Sequence, residues 1–163
     1  MNRTVLVTGA SRGIGRAIAS AFAAEGDRLI ITCSRSEQEL LNFKKELEET
    51  FHTEVLASVG DISSFEYVEQ LFEQITERFG GVDVLINNAQ ASASGVTLVD
   101  HTQEQFDLAL YSGLYATCYY MQACYPYLKE TEGTVINFGS GAGLFGNYGQ
   151  CAYAAAKEGI RGL

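Results

Sequence analysis

Tyr153 and Lys157 stand four residues apart in the run Tyr153-Ala-Ala-Ala-Lys157, and Ser140 closes the mostly apolar run VINFGS (Val135–Ser140) upstream. Residues four apart share a helix face, so an ammonium would lie beside a phenol. The positive charge favours phenolate and lowers a pKa that starts near 10. A tyrosine tuned in this way can pass its proton to a carbonyl oxygen as hydride reaches the carbon. A serine hydroxyl at the carboxyl end of a strand can give that oxygen a second hydrogen bond. Ser112, Tyr125 and Lys129 repeat the same intervals. That serine and tyrosine fall on one predicted helix, where the rise per residue sets them ~20 Å apart. Between Ser140 and Tyr153, by contrast, the glycine-rich loop GAGLFGNYGQ can fold back. The second set is a coincidence of spacing.

Another cluster lies near the N-terminus, where a strand-like run enters TGASRGIG (Thr8–Gly15) and then a helical segment. Gly9 and Gly13 allow a tight turn and close backbone approach, and Gly15 lets the helix pack on the strand. The helix N-terminus attracts a pyrophosphate. Gly9, Ser11, Arg12, Gly13, Ile14 and Gly15 are therefore the candidate diphosphate contacts. An NAD site places an acid at the end of the second strand to hold the ribose 2′-hydroxyl. Here that strand ends Thr32-Cys33-Ser34-Arg35, with no acid. Arg35 can pair with a 2′-phosphate in a fork, Arg12 adds a second cation, and Ser34 lies beside them. These residues point to NADP(H).

Such side chains need a scaffold whose strand ends converge. Five runs rich in β-branched residues, Thr4–Thr8, Leu29–Cys33, Val55–Val59, Val82–Ile86 and Thr134–Phe138, alternate with helical segments. They are nearly continuous in apolar residues, as strands covered on both faces are. Ser36 with Glu39, Ser63 with Glu66, and Thr102 with Gln105 fit the capping-box pattern. Gln103–Lys129 is the longest predicted helix, with Pro126 as a kink. Strand and helix in strict alternation predict an α/β fold with an open, mostly parallel sheet. With the glycine turn after the first strand it reads as a Rossmann-type doubly wound parallel sheet, an architecture whose strand order is 3-2-1-4-5.

The bulk composition narrows the remaining classes. The chain has 163 residues, 47% of them hydrophobic, with 17 Gly and one Pro, which excludes disorder and collagen-like repeats and predicts one domain over 1–163. A net charge of -9 argues against nucleic acid and anionic membranes as partners. No apolar run reaches the ~18 residues of a membrane span, and MNRTVLVTGA carries no signal segment, so a cytoplasmic location is expected. Cys33, Cys118, Cys124 and Cys151 lack C-x-x-C spacing and His52 and His101 stand alone, so no metal site is expected. The cysteines read as reduced, packed as small hydrophobes.

Four ordered motifs resemble the short-chain dehydrogenase/reductase family over essentially the whole chain, and its 3-oxoacyl-carrier-protein reductase-type members in particular. They are TGASRGIG, Asp61-Ile62 after the third strand, Asn87-Asn88-Ala89 after the fourth, and Ser140, Tyr153 and Lys157. The resemblance implies that Asp61 and Ile62 contact adenine, that Asn88 and Ala89 belong to a sheet-and-ribose motif, and that Lys157, beside Tyr153, also holds the nicotinamide ribose. It implies NADP(H)-dependent interconversion of a small-molecule ketone and a secondary alcohol, with a 3-oxoacyl thioester on a carrier among the substrates. It also implies a homo-oligomer, dimer or tetramer, paired through the helices at Phe106–Lys129 and from Tyr153. Family members continue for two more strands and a substrate-covering segment, so the C-terminal portion is expected to be lacking. A cofactor-binding but catalytically silent homologue, or a truncated chain, is the alternative. Two positions depart from the pattern. Gln90 stands where the family has Gly, and Gly113 stands where it has an Asn thought to hold a relay water.

Overall fold

The computed structural model describes residues 2–163. The apolar runs become five parallel strands, β1 (Thr4–Val7), β2 (Arg28–Cys33), β3 (Val55–Val59), β4 (Val84–Asn87) and β5 (Thr134–Asn137). They lie in the order β3-β2-β1-β4-β5, the order read from the sequence. Side chains alternate across each strand, so successive residues serve opposite layers. Val5 and Val7 meet Leu29, Ile31 and the apolar side of α1 (Gly13–Ala24) and α2 (Glu37–Phe51), where Leu40, Phe43 and Leu47 are fully buried. Leu6, Ile30 and Leu85 face the other way, onto Leu71 and Ile75 of α3 (Phe65–Phe79) and Tyr120 of α5 (Ala116–Thr131).

β1 pairs with β2 on one side and β4 on the other, so the chain leaves β3 and crosses back past β1. Loops at the carboxyl ends of β1 and β4 splay apart at that reversal, opening a crevice. α7 (Cys151–Arg161) covers the β5 side through Ala152 and Ala156, which pack on Ala109 at the end of α4 (Gln103–Ala109).

Several local expectations change in detail. The long helix predicted over Gln103–Lys129 is α4, then a π-helical turn at Leu110–Tyr115, then α5, with Pro126 inside the last piece. The box at Thr102–Gln105 is complete, Gln105 N–H donating to Thr102 Oγ1 and Thr102 N–H to Gln105 Oε1. At α3 the cap is Ser64, not Ser63, because the Ser63 hydroxyl donates to Asp61 Oδ1 instead. Ser36 sits at the start of α2 but its hydroxyl makes no capping bond. The loop after β5 contains a short helix, α6 (Gly141–Phe145), and β4 begins at Val84, not Val82. Among the described residues no helix is long and apolar enough to cross a membrane.

Candidate active site

The glycine loop leaves β1 with Gly9 at φ 69° and Gly13 at φ 58°, both in the left-handed region that favours glycine. A Cβ on Gly9 would lie 2.9 Å from Ala89 Cβ, so the loop can pass close over β4's end only without a side chain. Gly15 has ordinary helical geometry, yet a Cβ there would strike the Gly9 carbonyl and come 2.6 Å from Asn88 Nδ2. Around Gly13 nothing lies within 4 Å, which leaves the helix N-terminus open to a ligand. Asn88 fastens the turn by donating from Nδ2 to the Thr8 and Gly9 carbonyls at 2.9 and 3.2 Å. Thr8 Oγ1 in turn accepts from the Asn88 and Ala89 N–H groups, both at 3.1 Å.

A cavity of about 910 Å³ opens along this turn, near the upper end of the range for small-molecule sites. Its wall brings together Gly9, Ser11, Arg12, Gly13 and Ile14 from the loop, Ser34 and Arg35 after β2, Asp61 and Ile62 after β3, and Asn88 and Ala89 after β4. Gly15 lies behind the wall as a packing residue. Arg12 and Arg35 are exposed and neither forms an ion pair among the described residues. They bring two guanidinium groups to a wall that also carries the carboxylates of Asp61, Glu104 and Asp107. Asp61 Oδ1 is occupied by Ser63, from N–H at 2.9 Å and from the hydroxyl at 2.6 Å.

Ser140, Tyr153 and Lys157 do not line that cavity; they gather at the carboxyl end of β5. Lys157 is buried, and its ammonium donates to the Phe138 carbonyl at 2.5 Å, tying α7 to the strand two residues before Ser140. Burial without a carboxylate partner pushes its pKa below the usual lysine value. Its Nζ lies 5.7 Å from the centre of the Tyr153 ring, the side-by-side placement expected of residues one turn apart. The Tyr153 hydroxyl makes no hydrogen bond among the described residues, and the residue is half-buried. Ser140 caps α6, its Oγ accepting from Ala142 N–H at 3.2 Å while its own proton stays available. α6 rests directly on α7: a Cβ on Gly143 would come 3.3 Å from Lys157 Cβ. Ser140 at the start of α6 and the Tyr153–Lys157 pair on α7 thus sit on two helices packed together at the corner beyond β5. The repeated set is dispersed. Ser112 is buried, its Oγ 2.5 Å from the Leu108 carbonyl and 3.0 Å from the Ala91 carbonyl, whereas Tyr125 is exposed on α5.

A family model described as short chain dehydrogenase matches residues 3–163. The chain belongs to the short-chain dehydrogenase family. Among curated relatives it is 54% identical, over 99% of its length, to a 12alpha-hydroxysteroid dehydrogenase of a Clostridium species. It is 32% identical over 100% of its length to the 3-oxoacyl-[acyl-carrier-protein] reductase FabG of Staphylococcus epidermidis. It spans 64% of the first relative and 66% of the second. An alcohol dehydrogenase of Thermococcus sibiricus, solved with 5-hydroxy-NADP, superposes with a TM-score of 0.94 at 30% identity, covering 99% of this chain and 68% of that one. L-Sorbose reductase of Gluconobacter frateurii, solved with NADPH and L-sorbose, gives 0.92 at 25% identity, covering 98% and 60%.

Two features of this short-chain dehydrogenase escaped sequence reasoning. His101 does not stand alone: its ring packs edge-on against Phe106, and Nδ1 lies 3.2 Å from Cys151 Sγ at the start of α7. Gln90 and Gly113 lie against each other. The only signal in the chain was that these were the two positions departing from the family pattern.

Proposed function

We propose that the protein is an NADP(H)-dependent oxidoreductase that interconverts a ketone and a secondary alcohol on an apolar small molecule. The observation that carries the reading is the buried Lys157 ammonium, bound to the Phe138 carbonyl just past β5 and set beside a Tyr153 whose hydroxyl makes no hydrogen bond among the described residues. The residues of the cavity fit the dinucleotide. Gly13 leaves the helix N-terminus open for a diphosphate, and Arg12 with Arg35 supplies charge for a 2′-phosphate. The nicotinamide, when bound, supplies or accepts the hydride. Tyr153 gives its proton to the carbonyl oxygen in reduction and takes it back in oxidation. Ser140 donates its free proton to the same oxygen and holds it in place. Lys157 keeps positive charge against the phenol and holds the nicotinamide ribose.

Substrate class is favoured toward a steroid-like alicyclic compound by the 54% identity to the hydroxysteroid dehydrogenase, against 32% for the thioester reductase. Exposed apolar side chains beside the corner, Leu144, Phe145 and Tyr148, suit such a substrate. A carrier-bound 3-oxoacyl thioester is the second reading, supported by the 32% relative. A homodimer or homotetramer belongs to the same proposal, with the exposed Tyr115 and Tyr125 of the stretch Phe106–Lys129 in its favour.

The test is a screen of ketosteroids and 3-oxoacyl thioesters with NADPH on the full-length gene product, alongside Tyr153→Phe. The variant is expected to lose 10²–10⁴-fold in turnover, the scale of a general acid/base, while NADPH binding by fluorescence titration stays within about twofold. Equal loss of binding and turnover would contradict the role given to the phenol.

A further inference from the structure

Gln90 follows β4 on the cavity wall, and the dinucleotide reading gives its side chain nothing to do. Its carboxamide lies over Gly113 in the π-helical turn. A Cβ built on Gly113 would be 2.8 Å from Gln90 Cδ and Nε2 and 3.1 Å from Oε1. A side chain on Gly113 therefore requires the end of the Gln90 side chain to move aside. Gln90 Nε2 points at the Ala109 carbonyl, 3.5 Å away at the entry to that turn. The next residue is bound to the same turn twice, since Ala91 N–H donates to Ser112 Oγ at 3.0 Å and the Ala91 carbonyl lies 3.0 Å from that oxygen. The turn then meets α7, where a Cβ on Gly159 would lie 2.9 Å from Leu114, two residues beyond Lys157. Gln90 Oε1 is buried and has no hydrogen-bond partner among the described residues. A buried carbonyl oxygen in that state is costly, and it is satisfied by an ordered water, an ion or a donor on a bound ligand.

We propose that Gln90 and Gly113 act as one unit: the carboxamide takes the place of a side chain on the π turn, sets the turn against α7, and offers Oε1 to a hydrogen-bond donor of the bound dinucleotide. Gln90 is thus a positioning residue for the corner that holds Tyr153 and Lys157, and a recognition point on the cavity wall. The terminal torsion of a glutamine is soft, and rotation that aims Oε1 at a ligand exchanges only the long 3.5 Å contact of Nε2 with the Ala109 carbonyl. This proposal rests on the dinucleotide reading above.

A double-mutant cycle on the full-length protein tests the pair. Gly113→Asn alone is expected to lower the thermal midpoint by about 4–8 °C and NADPH affinity by about tenfold, because it overpacks against Gln90. Gln90→Gly alone opens a void and lowers the midpoint by about 2–4 °C. Combining them is expected to recover at least half of the Gly113→Asn loss. Additive losses would overturn the unit. Gln90→Met keeps the volume and removes the acceptor. It should leave the ligand-free midpoint within about 2 °C of wild type and weaken NADPH and NADH alike by about five- to tenfold, a ratio within reach of one hydrogen bond. Unchanged affinities for both would overturn the role of Oε1. If wild-type protein binds no NADPH, the dinucleotide reading fails, while the ligand-free midpoints still decide whether the two positions are coupled.

Discussion

Gly15→Ala is a substitution for which local and tertiary reasoning predict opposite signs. Gly15 lies in the first turn of α1 with no left-handed φ, so by helix propensity alone alanine should stabilise by about 1 kcal/mol. Its new Cβ, however, would strike the Gly9 carbonyl and sit 2.6 Å from Asn88 Nδ2, roughly 1 Å inside the distance at which such atoms rest. Either α1 withdraws from β1, or Asn88 turns away and gives up its bonds to the Thr8 and Gly9 carbonyls. Overpacking of this kind costs ~1–3 kcal/mol, and the lost bonds add ~0.5–1.5 kcal/mol each. Set against the propensity gain, the net expectation is a destabilisation of about 1–5 kcal/mol, read from urea unfolding. Because the same atoms shape the diphosphate turn, NADPH affinity should fall at least about tenfold, or ~1.4 kcal/mol. Gly13→Ala is the contrast. Its φ of 58° is unfavourable for alanine, but a Cβ there meets nothing within 4 Å. It should lose ~1–2 kcal/mol from backbone strain alone. A Gly15→Ala protein as stable as wild type, with unchanged NADPH affinity, would refute the account of how the loop is fastened.

Replacing both Arg12 and Arg35 by alanine should weaken NADPH by about 10–100-fold, the value of one or two charge-assisted contacts discounted for exposure. NADH should change by less than about threefold, and fluorescence titration of both cofactors reads the difference; equal losses would move the 2′-phosphate site elsewhere. The NADPH preference of wild type should also shrink between low and high salt. Lys157→Met tests the buried ammonium through pH. Burial holds the folded-state pKa below 10.5, so between the two values the unfolded chain binds more protons and wild-type stability gains from rising pH. That contribution is complete above 10.5 and is lost as pH falls through the folded value. The stability of wild type minus that of the variant, from urea unfolding at pH 7 and pH 10, should therefore grow with pH; a flat difference would mean that Lys157 is not desolvated.

The alternation of apolar runs with amphipathic segments was enough to predict the five-stranded parallel sheet, because burial on both faces leaves strands such as Val5–Val7 and Leu29–Ile31 nearly all apolar, whereas its order came with the Rossmann-type assignment. The glycine turn and the two arginines were equally legible, since close backbone approach and anion charge depend on residue types at short spacing. Element boundaries within one long apolar-periodic stretch were not. Nothing local in LALYSGLYAT distinguishes a π turn from an α-helix, and the widening at Leu110–Tyr115 appears where Ser112 and Gln90 bind that stretch to the loop after β4. The capping serine of α3 moved by one residue for a similar reason: Asp61, fixed at the end of β3, claims the Ser63 hydroxyl. Composition and spacing determined the scaffold and which residue types stand at its strand ends. Tertiary packing alone decided that Gln90 and Gly113 meet, that Lys157 reaches the Phe138 carbonyl, and that Ser112 is spent on backbone. Those contacts join residues 19 to 23 positions apart or hang on the pose of one side chain, and only the folded geometry sets such distances.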